Sequence, residues 1–323
     1  MPSPVSIAVV GAGALGQFYA AQFILAGHEL RLLTRRDAGV LAERGLVVHQ
    51  TASPDIASSR EHPLLRLPPE RFRVADHPAA LVGPTACDWI LVSLKTTALN
   101  RMRELVEPLA GPASRVVILC NGLGVEELLV PWFDPARIFG LLCYVAVNRA
   151  PDATLTHHGF GQVVAGHFLD DEFCRADLVA LCEGAGITCS APPSLLEARW
   201  RKLAWNLPFN GLCVAYDCTT DRIVQNSAHR AQARQLADEV VAIGNAELVA
   251  RGQRARIEDG WAELQIQRGE ALGVYAPSTL VDARAGSELE DEALFYEPLR
   301  RARALGVSAP QLEWLVAQLR ART

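Results

Sequence analysis

A glycine-rich turn near the start of the chain has the spacing that nucleotide phosphates require. Residues 6–16 run Ser-Ile-Ala-Val-Val-Gly-Ala-Gly-Ala-Leu-Gly, so an apolar run leads into G-x-G-x-x-G and then a helical pattern. The glycines permit a tight turn, close approach of a pyrophosphate, and close helix–strand packing. The N–H groups that begin the helix would bind the anion. We predict a dinucleotide site, although the pattern also suits a plain strand-to-helix turn; its members are Gly11, Ala12, Gly13, Ala14, Leu15 and Gly16.

The residues after the next apolar run indicate which dinucleotide binds. Residues 29–34 are typical of a strand, and Arg35 and Arg36 stand where an NAD site would place an acidic residue for the ribose 2′-hydroxyl. A guanidinium binds a 2′-phosphate through two charge-assisted hydrogen bonds, whereas a carboxylate would repel it. The sequence therefore favours NADP(H); a solvated basic loop is the alternative interpretation.

Two polar residues follow later apolar runs. Lys95 ends the run 88–94, and Asn121 ends the run 116–120. Ligands of open parallel sheets bind beyond the carboxyl ends of the strands, so we expect both side chains to face the nicotinamide half of the cofactor. The alternatives are a solvated strand end for Lys95 and a helix cap or turn residue for Asn121.

A third group of polar residues interrupts an apolar helical pattern. Lys202, Asn206 and Asn210 recur at intervals of four residues, which places them on one helical face. Buried amides and ammonium groups need partners, so these three would either face a substrate between two domains or bind backbone groups at the domain interface. Pro208 lies inside this pattern and predicts a kink, which makes the direction of Asn210 harder to infer.

The elements that position these residues divide the chain into two. Residues 1–192 alternate short apolar strands with helical patterns, which predicts a largely parallel sheet covered by helices, an α/β Rossmann-type domain that binds NADP. Within it, the proline-rich stretch 46–81 is interpreted as a surface hairpin that decorates the domain. Residues 193–323 are almost entirely helical in pattern and predict an all-α substrate or catalytic domain.

Composition narrows the classes of function. A chain of 323 residues exceeds what one hydrophobic core usually supports, and a net charge of −5 gives no electrostatic case for nucleic acid or an anionic membrane. No apolar run approaches a membrane span and no secretory signal is recognised, so a cytoplasmic location is expected. The eight cysteines contain no C-x-x-C pair, and His157 and His158 lack a third ligand in register, which predicts reduced core thiols and no metal site.

The ordered set of motifs resembles the ketopantoate reductases (2-dehydropantoate 2-reductases) over nearly the whole chain. The resemblance implies a Rossmann domain, an all-α second domain of the 6-phosphogluconate dehydrogenase C-terminal type, NADPH as hydride donor, and reduction of 2-dehydropantoate to pantoate in pantothenate biosynthesis. The matching segments are 11–16, 27–28, 93–95, 121–124 with 126–128, 200–204 with Asn206 and Asn210, and 278–290 leading into 300–304.

The same resemblance implies roles for individual residues. Lys202 would be the general acid, and Arg35 would bind the 2′-phosphate. A solvated helix start is the alternative for Glu290, and Glu288 or Glu292 could be the true counterpart. Besides the glycine turn and Arg35, the residues implied near the cofactor are Lys95, Asn121, the Ala146 backbone and Glu290; those implied near the substrate are Asn121, Asn206, Asn210 and Ser278.

These residue types suit ketone reduction. Hydride transfer to a carbonyl carbon leaves negative charge on oxygen, which a lysine ammonium stabilises and then protonates. Thr219 and Thr220 replace a substrate-binding asparagine that the family often carries, and residues 141–144 are bulkier than expected beside the nicotinamide. These departures affect the choice among 2-oxo acids and leave the reaction class unchanged. The first hypothesis is an NADPH-dependent ketopantoate reductase. The alternatives are a reductase of another branched or aromatic 2-oxo acid, and a non-catalytic NADP(H)-binding sensor; the apolar helices of the second domain would also allow a homodimer.

Overall fold

The chain, in a computed structural model that describes residues 3–322, divides into two compact units. Unit 1 comprises residues 3–120 and 125–195, and unit 2 comprises residues 121–124 and 196–322. Residues 121–124 therefore belong to unit 2, although the residues on both sides of them in the chain belong to unit 1. No helix among the described residues is both long and apolar enough to cross a membrane.

Unit 1 is built on one mixed sheet. The strands are β1 (Ser6–Val10), β2 (Glu29–Leu33), β3 (Leu46–Gln50), β4 (Leu64–Leu67), β5 (Phe72–Ala75), β6 (Trp89–Val92), β7 (Arg115–Ile118), β8 (Ile138–Arg149), β9 (Leu155–His167) and β10 (Cys189–Ser190). The helices are α1 (Ala14–Leu25), α2 (Ala38–Arg44), α3 (Ser58–Glu61), α4 (Met102–Val106) and α5 (Glu172–Gly184).

The order of the strands explains the apolar runs in the sequence. The order is β4-β3-β9-β8-β7-β6-β1-β2-β5, with β10 paired to β9. Strand β1 pairs in parallel with both β2 and β6, and all five of its residues are buried, as is usual for parallel strands covered on both faces. The predicted Rossmann-type α/β fold is confirmed. The sheet is less parallel than predicted, because β8 and β9 pair antiparallel and so do β3 and β4.

The interpretation of residues 46–81 as surface decoration is wrong. The hairpin exists, but β3 also pairs with β9 and β5 pairs with β2, so both strands extend the main sheet. Leu46, Val48, Leu65 and Leu67 are buried in the core of unit 1. The prolines of this stretch lie outside the strands, where they need not donate to the sheet, so the alternation of apolar residues was the stronger signal.

Unit 2 is all-α, as predicted. Its helices are α6 (Leu195–Ala215), α7 (Thr220–Gln225), α8 (Ser227–Ala250), α9 (Trp261–Leu272), α10 (Ser278–Arg284), α11 (Glu297–Leu305) and α12 (Pro310–Arg320), and a π-helical turn, Glu292–Tyr296, precedes α11. Helix α6 remains continuous through Pro208, and the fully buried Trp200, Phe209 and Phe295 belong to the core of this unit.

Candidate functional site

The glycine turn of unit 1 has a conformation that only glycine adopts easily. Gly11 has φ +82°, and a Cβ atom built on it would lie 2.7 Å from Leu94 Cδ2 and 2.9 Å from the Leu94 nitrogen. The N–H groups of Gly11 and Ala12 both donate to the Leu33 carbonyl, at 3.0 and 2.9 Å. The turn is therefore held between the ends of β1, β2 and β6.

The start of α1 is suited to an anion. Gly13 precedes the helix, no side chain caps it, and its first turn contains no acidic residue. A Cβ atom on Gly13 would meet nothing closer than the Gly11 oxygen at 3.9 Å, whereas one on Gly16 would lie 3.0 Å from Val9 Cγ1. Gly13 thus keeps the approach open and Gly16 allows close helix–strand packing. The N–H groups of a first helical turn have no acceptor within the helix and carry a partial positive charge.

The end of β2 presents two guanidinium groups and hides a carboxylate. Arg35 and Arg36 are exposed. Asp37, which sequence reasoning overlooked, is buried; it accepts a hydrogen bond from Gln17 Nε2 at 2.7 Å and pairs with Arg149. An acidic residue does follow β2, but its charge is used inside unit 1. The exposed Arg35 and Arg36 therefore give the end of β2 a positive charge.

Two further residues implied near the cofactor also lie in unit 1. Lys95 is exposed and directly precedes a 3₁₀ helix, Thr96–Arg101, and it follows Leu94, the residue packed against Gly11. Cys120 Sγ donates to the Leu94 carbonyl at 3.1 Å, which joins the chain after β6 to the chain after β7. Ala146 lies in β8 opposite Gly159, beside an irregularity of the strand pairing.

Lys202 and Asn121 are in direct contact within unit 2. Lys202 Nζ donates to Asn121 Oδ1 at 2.8 Å, although 81 positions separate them in the chain. The 121–124 segment is docked on the π-helical turn, because the Leu123 nitrogen donates to the Ala293 carbonyl at 3.0 Å. Gly122 has φ +94°, and a Cβ atom there would lie 2.5 Å from the Ala293 oxygen, so this approach requires glycine.

The two asparagines that follow Lys202 on α6 are buried without protein partners. Asn206 is 8% exposed and Asn210 is 3% exposed. Across residues 3–322, neither carboxamide forms a hydrogen bond with another protein group. Arg201, by contrast, is paired with Glu197 and Glu258 and lies over the Trp261 ring. The polar face of Lys202, Asn206 and Asn210 is thus distinct from the ion-paired side of the same helix.

A buried ion-pair network fixes the start of α6. Trp200 Nε1 donates to Glu247 Oε2 of α8 at 2.8 Å, and Arg301 of α11 donates to the other oxygen of Glu247 at 2.7 Å. Arg301 also binds Glu297 at 2.7 Å. Lys202 lies two positions after Trp200, so the network holds the backbone that carries the ammonium group.

The acidic residues before α11 differ in their burial. Glu288 and Glu292 are exposed, and Glu292 pairs with Arg300 at 2.6 Å, whereas Glu290 is partly buried. Burial thus favours Glu290 over its two neighbours as a site residue. Asp291, which sequence reasoning did not single out, is more buried still. Its Oδ1 has no hydrogen-bond partner among the described residues, and burial raises the pKa of its carboxyl.

Ser278 is less closely tied to the polar face. It is the exposed first residue of α10. In the described part of the chain no hydrogen bond joins it to Lys202, Asn206 or Asn210. The contact between Lys202 and Asn121 thus joins two site residues of unit 2 directly, whereas Ser278 is not hydrogen-bonded to Lys202.

Replacement of Asp291 by asparagine is expected to stabilise the protein at neutral pH. The pKa of this carboxyl is higher in the folded than in the unfolded chain, so ionisation weakens folding as the pH rises through the folded pKa. Each ~1 kcal/mol recovered would raise Tm by about 2–4 °C in a chain of this class. We expect the gain in a thermal unfolding series at pH 8 and its loss toward the unfolded pKa of about 3.9.

Glu292→Gln is the matched control for this prediction. Glu292 is exposed and its ion pair with Arg300 lies at the surface, so neutralising it should leave Tm nearly unchanged. A Tm of Asp291→Asn below that of the unmodified protein at every pH would show that the carboxylate is stabilised by its surroundings.

Among the described residues, the cysteines and the potential metal ligands form no disulfide and no metal site. All eight cysteines are free thiols, and no group of three His, Cys, Asp or Glu side chains converges as a metal site within 3–322. His157, in β9, is fully buried and packs on Phe18 with ring centroids 4.7 Å apart.

Known proteins match this arrangement over almost the whole chain. A 2-dehydropantoate 2-reductase of Nostoc sp. (strain PCC 7120 / SAG 25.82 / UTEX 2576) is 28% identical, with 97% of this chain and 93% of the relative aligned. The crystal structure of 2-dehydropantoate 2-reductase from Geobacter metallireducens GS-15 is 34% identical with a TM-score of 0.88, covering 98% of this chain and 99% of that one.

A more distant structure shares the fold. The ternary structure of D-mandelate dehydrogenase with NADH and anilino(oxo)acetate has a TM-score of 0.80 at 17% identity, covering 98% of this chain and 97% of that one. The family models for ketopantoate reductase PanE/ApbA and for its C-terminal part match residues 7–170 and 194–323. The chain therefore belongs to the ketopantoate reductase family and is an oxidoreductase of a pyridine-nucleotide-dependent type.

Proposed function

We propose that this oxidoreductase reduces a 2-oxo acid with NADPH, and that 2-dehydropantoate, reduced to pantoate for pantothenate biosynthesis, is the first candidate substrate. The observation that carries the proposal is the polar face of α6. There the Lys202 ammonium is held by Asn121, and two buried carboxamides, Asn206 and Asn210, have no partner among the described residues. No polar atom of either residue is among the fully buried unpaired ones of the described chain, so both carboxamides are accessible to a polar substrate, with which they can form hydrogen bonds.

Lys202 is the proposed general acid. The bound nicotinamide would supply a hydride to the carbonyl carbon of the acid. Lys202 stabilises the negative charge that develops on the carbonyl oxygen and passes one proton from Nζ to it, so that ketone, hydride and proton give the alcohol. In the protein Lys202 Nζ donates to Asn121 Oδ1 at 2.8 Å. Asn121 is thus proposed to orient Nζ as well as to contact the ligands.

The asparagines of α6 are the proposed partners of the 2-oxo acid group. A carboxamide donates through nitrogen and accepts through oxygen, so Asn206 and Asn210 can bind a carboxylate and a hydroxyl group of the same small molecule. Ser278 is proposed as a further substrate contact. These assignments concern the 2-oxo acid group, which all candidate substrates share. 2-Dehydropantoate is the first candidate because the relatives are named 2-dehydropantoate 2-reductases.

The cofactor assignment rests on unit 1. Open space beside Gly13 and the uncapped start of α1 support pyrophosphate binding across Gly11–Gly16. The exposed Arg35, next to a carboxylate that is already paired, supports a 2′-phosphate and therefore NADP(H) over NAD(H). The other proposed cofactor contacts are Lys95, Asn121, the Ala146 backbone and Glu290.

A substrate panel tests the proposed function. Purified protein is mixed with NADPH or NADH and with ketopantoate, ketoisovalerate or phenylpyruvate, and nicotinamide oxidation is followed by absorbance. We expect turnover of at least one 2-oxo acid and a higher kcat/KM with NADPH than with NADH. NADPH binding without reduction of any member would favour the sensor hypothesis and refute the reductase.

A further inference from the structure

The polar face of α6 also carries aromatic residues. Lys202, Trp205, Asn206, Phe209 and Asn210 follow the spacing i, i+3, i+4, i+7, i+8, which is one continuous stripe of an α-helix. Trp205 therefore lies one helical turn after Lys202 on this stripe. It is thus the partly buried aromatic residue of α6 that lies one turn after Lys202.

The aromatic residues form a defined cluster. The Trp205 and Phe209 rings are stacked, with centroids 5.1 Å apart and 26° between the planes, and the Tyr275 ring is 6.4 Å from Trp205. We call Trp205, Phe209 and Tyr275 the aromatic wall. Its members come from α6 and from the segment between α9 and α10.

Surrounding packing holds the aromatic wall in place. Phe209 is fully buried and fills the space left by Gly269, where a Cβ atom would lie 2.1 Å from Phe209 Cζ. Tyr275 is fixed through its backbone, since its carbonyl accepts from the Thr220 nitrogen at 3.0 Å and its nitrogen donates to Thr220 Oγ1 at 3.2 Å. Trp205 is only partly buried. The wall is thus preorganised and offers one face of an indole next to the polar stripe.

We propose that the aromatic wall is the subsite for the carbon side chain of the 2-oxo acid, and that Trp205 favours an aromatic side chain over the ring-free, unhydroxylated side chain of ketoisovalerate. This inference rests on the proposed function, because it assumes that the reacting carbonyl lies at Lys202. Aromatic rings stack favourably on an indole or edge onto it. A branched aliphatic side chain fills the same space without this ring-to-ring contact.

The test compares the ratio of kcat/KM for two substrates between the unmodified protein and matched variants. We compare kcat/KM for phenylpyruvate and ketoisovalerate, which share the 2-oxo acid group and differ in the ring, with ketopantoate as the hydroxylated acid. In the unmodified protein we expect kcat/KM for phenylpyruvate to exceed that for ketoisovalerate by at least about tenfold, the low end of what hydrophobic pockets discriminate. Trp205→Leu should remove most of that ratio, whereas Trp205→Phe should keep it within a few-fold.

Trp314→Leu is the control for loss of a tryptophan. Trp314 is a partly buried residue of α12 outside the stripe and the wall, so the ratio should not change. Binding of phenyllactate by calorimetry adds a readout that needs no turnover and that also applies if Trp205→Leu is poorly active. We expect it to be weakened about tenfold in Trp205→Leu and unchanged in Trp314→Leu.

The outcomes separate this inference from the proposed function. If ketopantoate is the best substrate and the ratio is the same in Trp205→Leu, the inference is wrong and the reductase stands. If phenyllactate binding depends on Trp205 but no 2-oxo acid is reduced, the subsite stands and the proposed chemistry fails.

Discussion

Replacement of Lys202 by alanine is expected to lower kcat by about 10²–10⁴, the usual contribution of a positioned general acid. The alkoxide that forms when hydride reaches the carbonyl carbon would then lack both its positive partner and its proton source. The measurement is single-turnover reduction of the best 2-oxo acid, with NADPH affinity determined separately. Because the glycine turn and Arg35 belong to unit 1, NADPH affinity should be retained, and full turnover by Lys202→Ala would show that the acid is assigned wrongly.

Two further variants separate charge from proton transfer at this position. Lys202→Arg keeps a positive charge that does not deprotonate, so it should recover only part of the lost rate. Asn121→Ala keeps the ammonium but removes the acceptor 2.8 Å away, and a purely positioning role predicts a loss smaller than that of Lys202→Ala.

The chain makes direct titration of Lys202 unusually simple. Its only lysines are Lys95 and Lys202. Isotopic methylation of the amines would therefore give two side-chain signals, and Lys202→Arg would identify which is which. A general acid requires that the decline of kcat at high pH follow the deprotonation of the Lys202 signal and not that of Lys95.

Arg35→Ala is expected to lower kcat/KM for NADPH by about 10–100-fold, since a hydrogen bond to a charged group contributes about 1.5–3 kcal/mol. The same variant should leave kcat/KM for NADH nearly unchanged, because NADH has no 2′-phosphate for the guanidinium to bind. The readout is the ratio of the two values, which cancels general damage to the site. The loss should shrink as salt screens the exposed charge.

Arg36→Ala is the matched control for the cofactor prediction. It removes the same charge from the adjacent exposed position. A small effect of Arg36→Ala beside a large effect of Arg35→Ala would agree with the proposed contact. The reverse result would move the 2′-phosphate to Arg36, and no effect of either would remove the argument for NADP(H).

The α/β and all-α parts of the fold could be predicted because their signals are local. The β-branched run of β1 is buried along its whole length, and the G-x-G-x-x-G spacing places a positive φ at Gly11 where a side chain would meet Leu94. The error at residues 46–81 arose because the partners of β3 and β5 lie far away in the chain, in β9 and β2. Strand pairing of that kind leaves no mark in the stretch itself.

Burial of individual charged residues was equally hidden from the sequence. Asp37 follows the exposed Arg36 and Asp291 precedes the exposed Glu292, yet both aspartates are buried. Asp37 pairs with Arg149, and Asp291 Oδ1 has no hydrogen-bond partner among the described residues. Adjacent residues of one type differ in environment because side chains of neighbouring positions point in different directions. Composition and spacing cannot rank them.

The sequence by itself determined the glycine turn, the alternation of strands and helices, and the helical stripe of Lys202, Asn206 and Asn210, because each depends on spacings within one element. Only the tertiary structure decided that Asn121 meets Lys202, through the docking of Gly122 and Leu123 on Ala293. It also decided that Trp205 stacks on Phe209 beside Tyr275. The physical reason is that such contacts depend on packing between segments distant in the chain, and packing is a property of the folded unit.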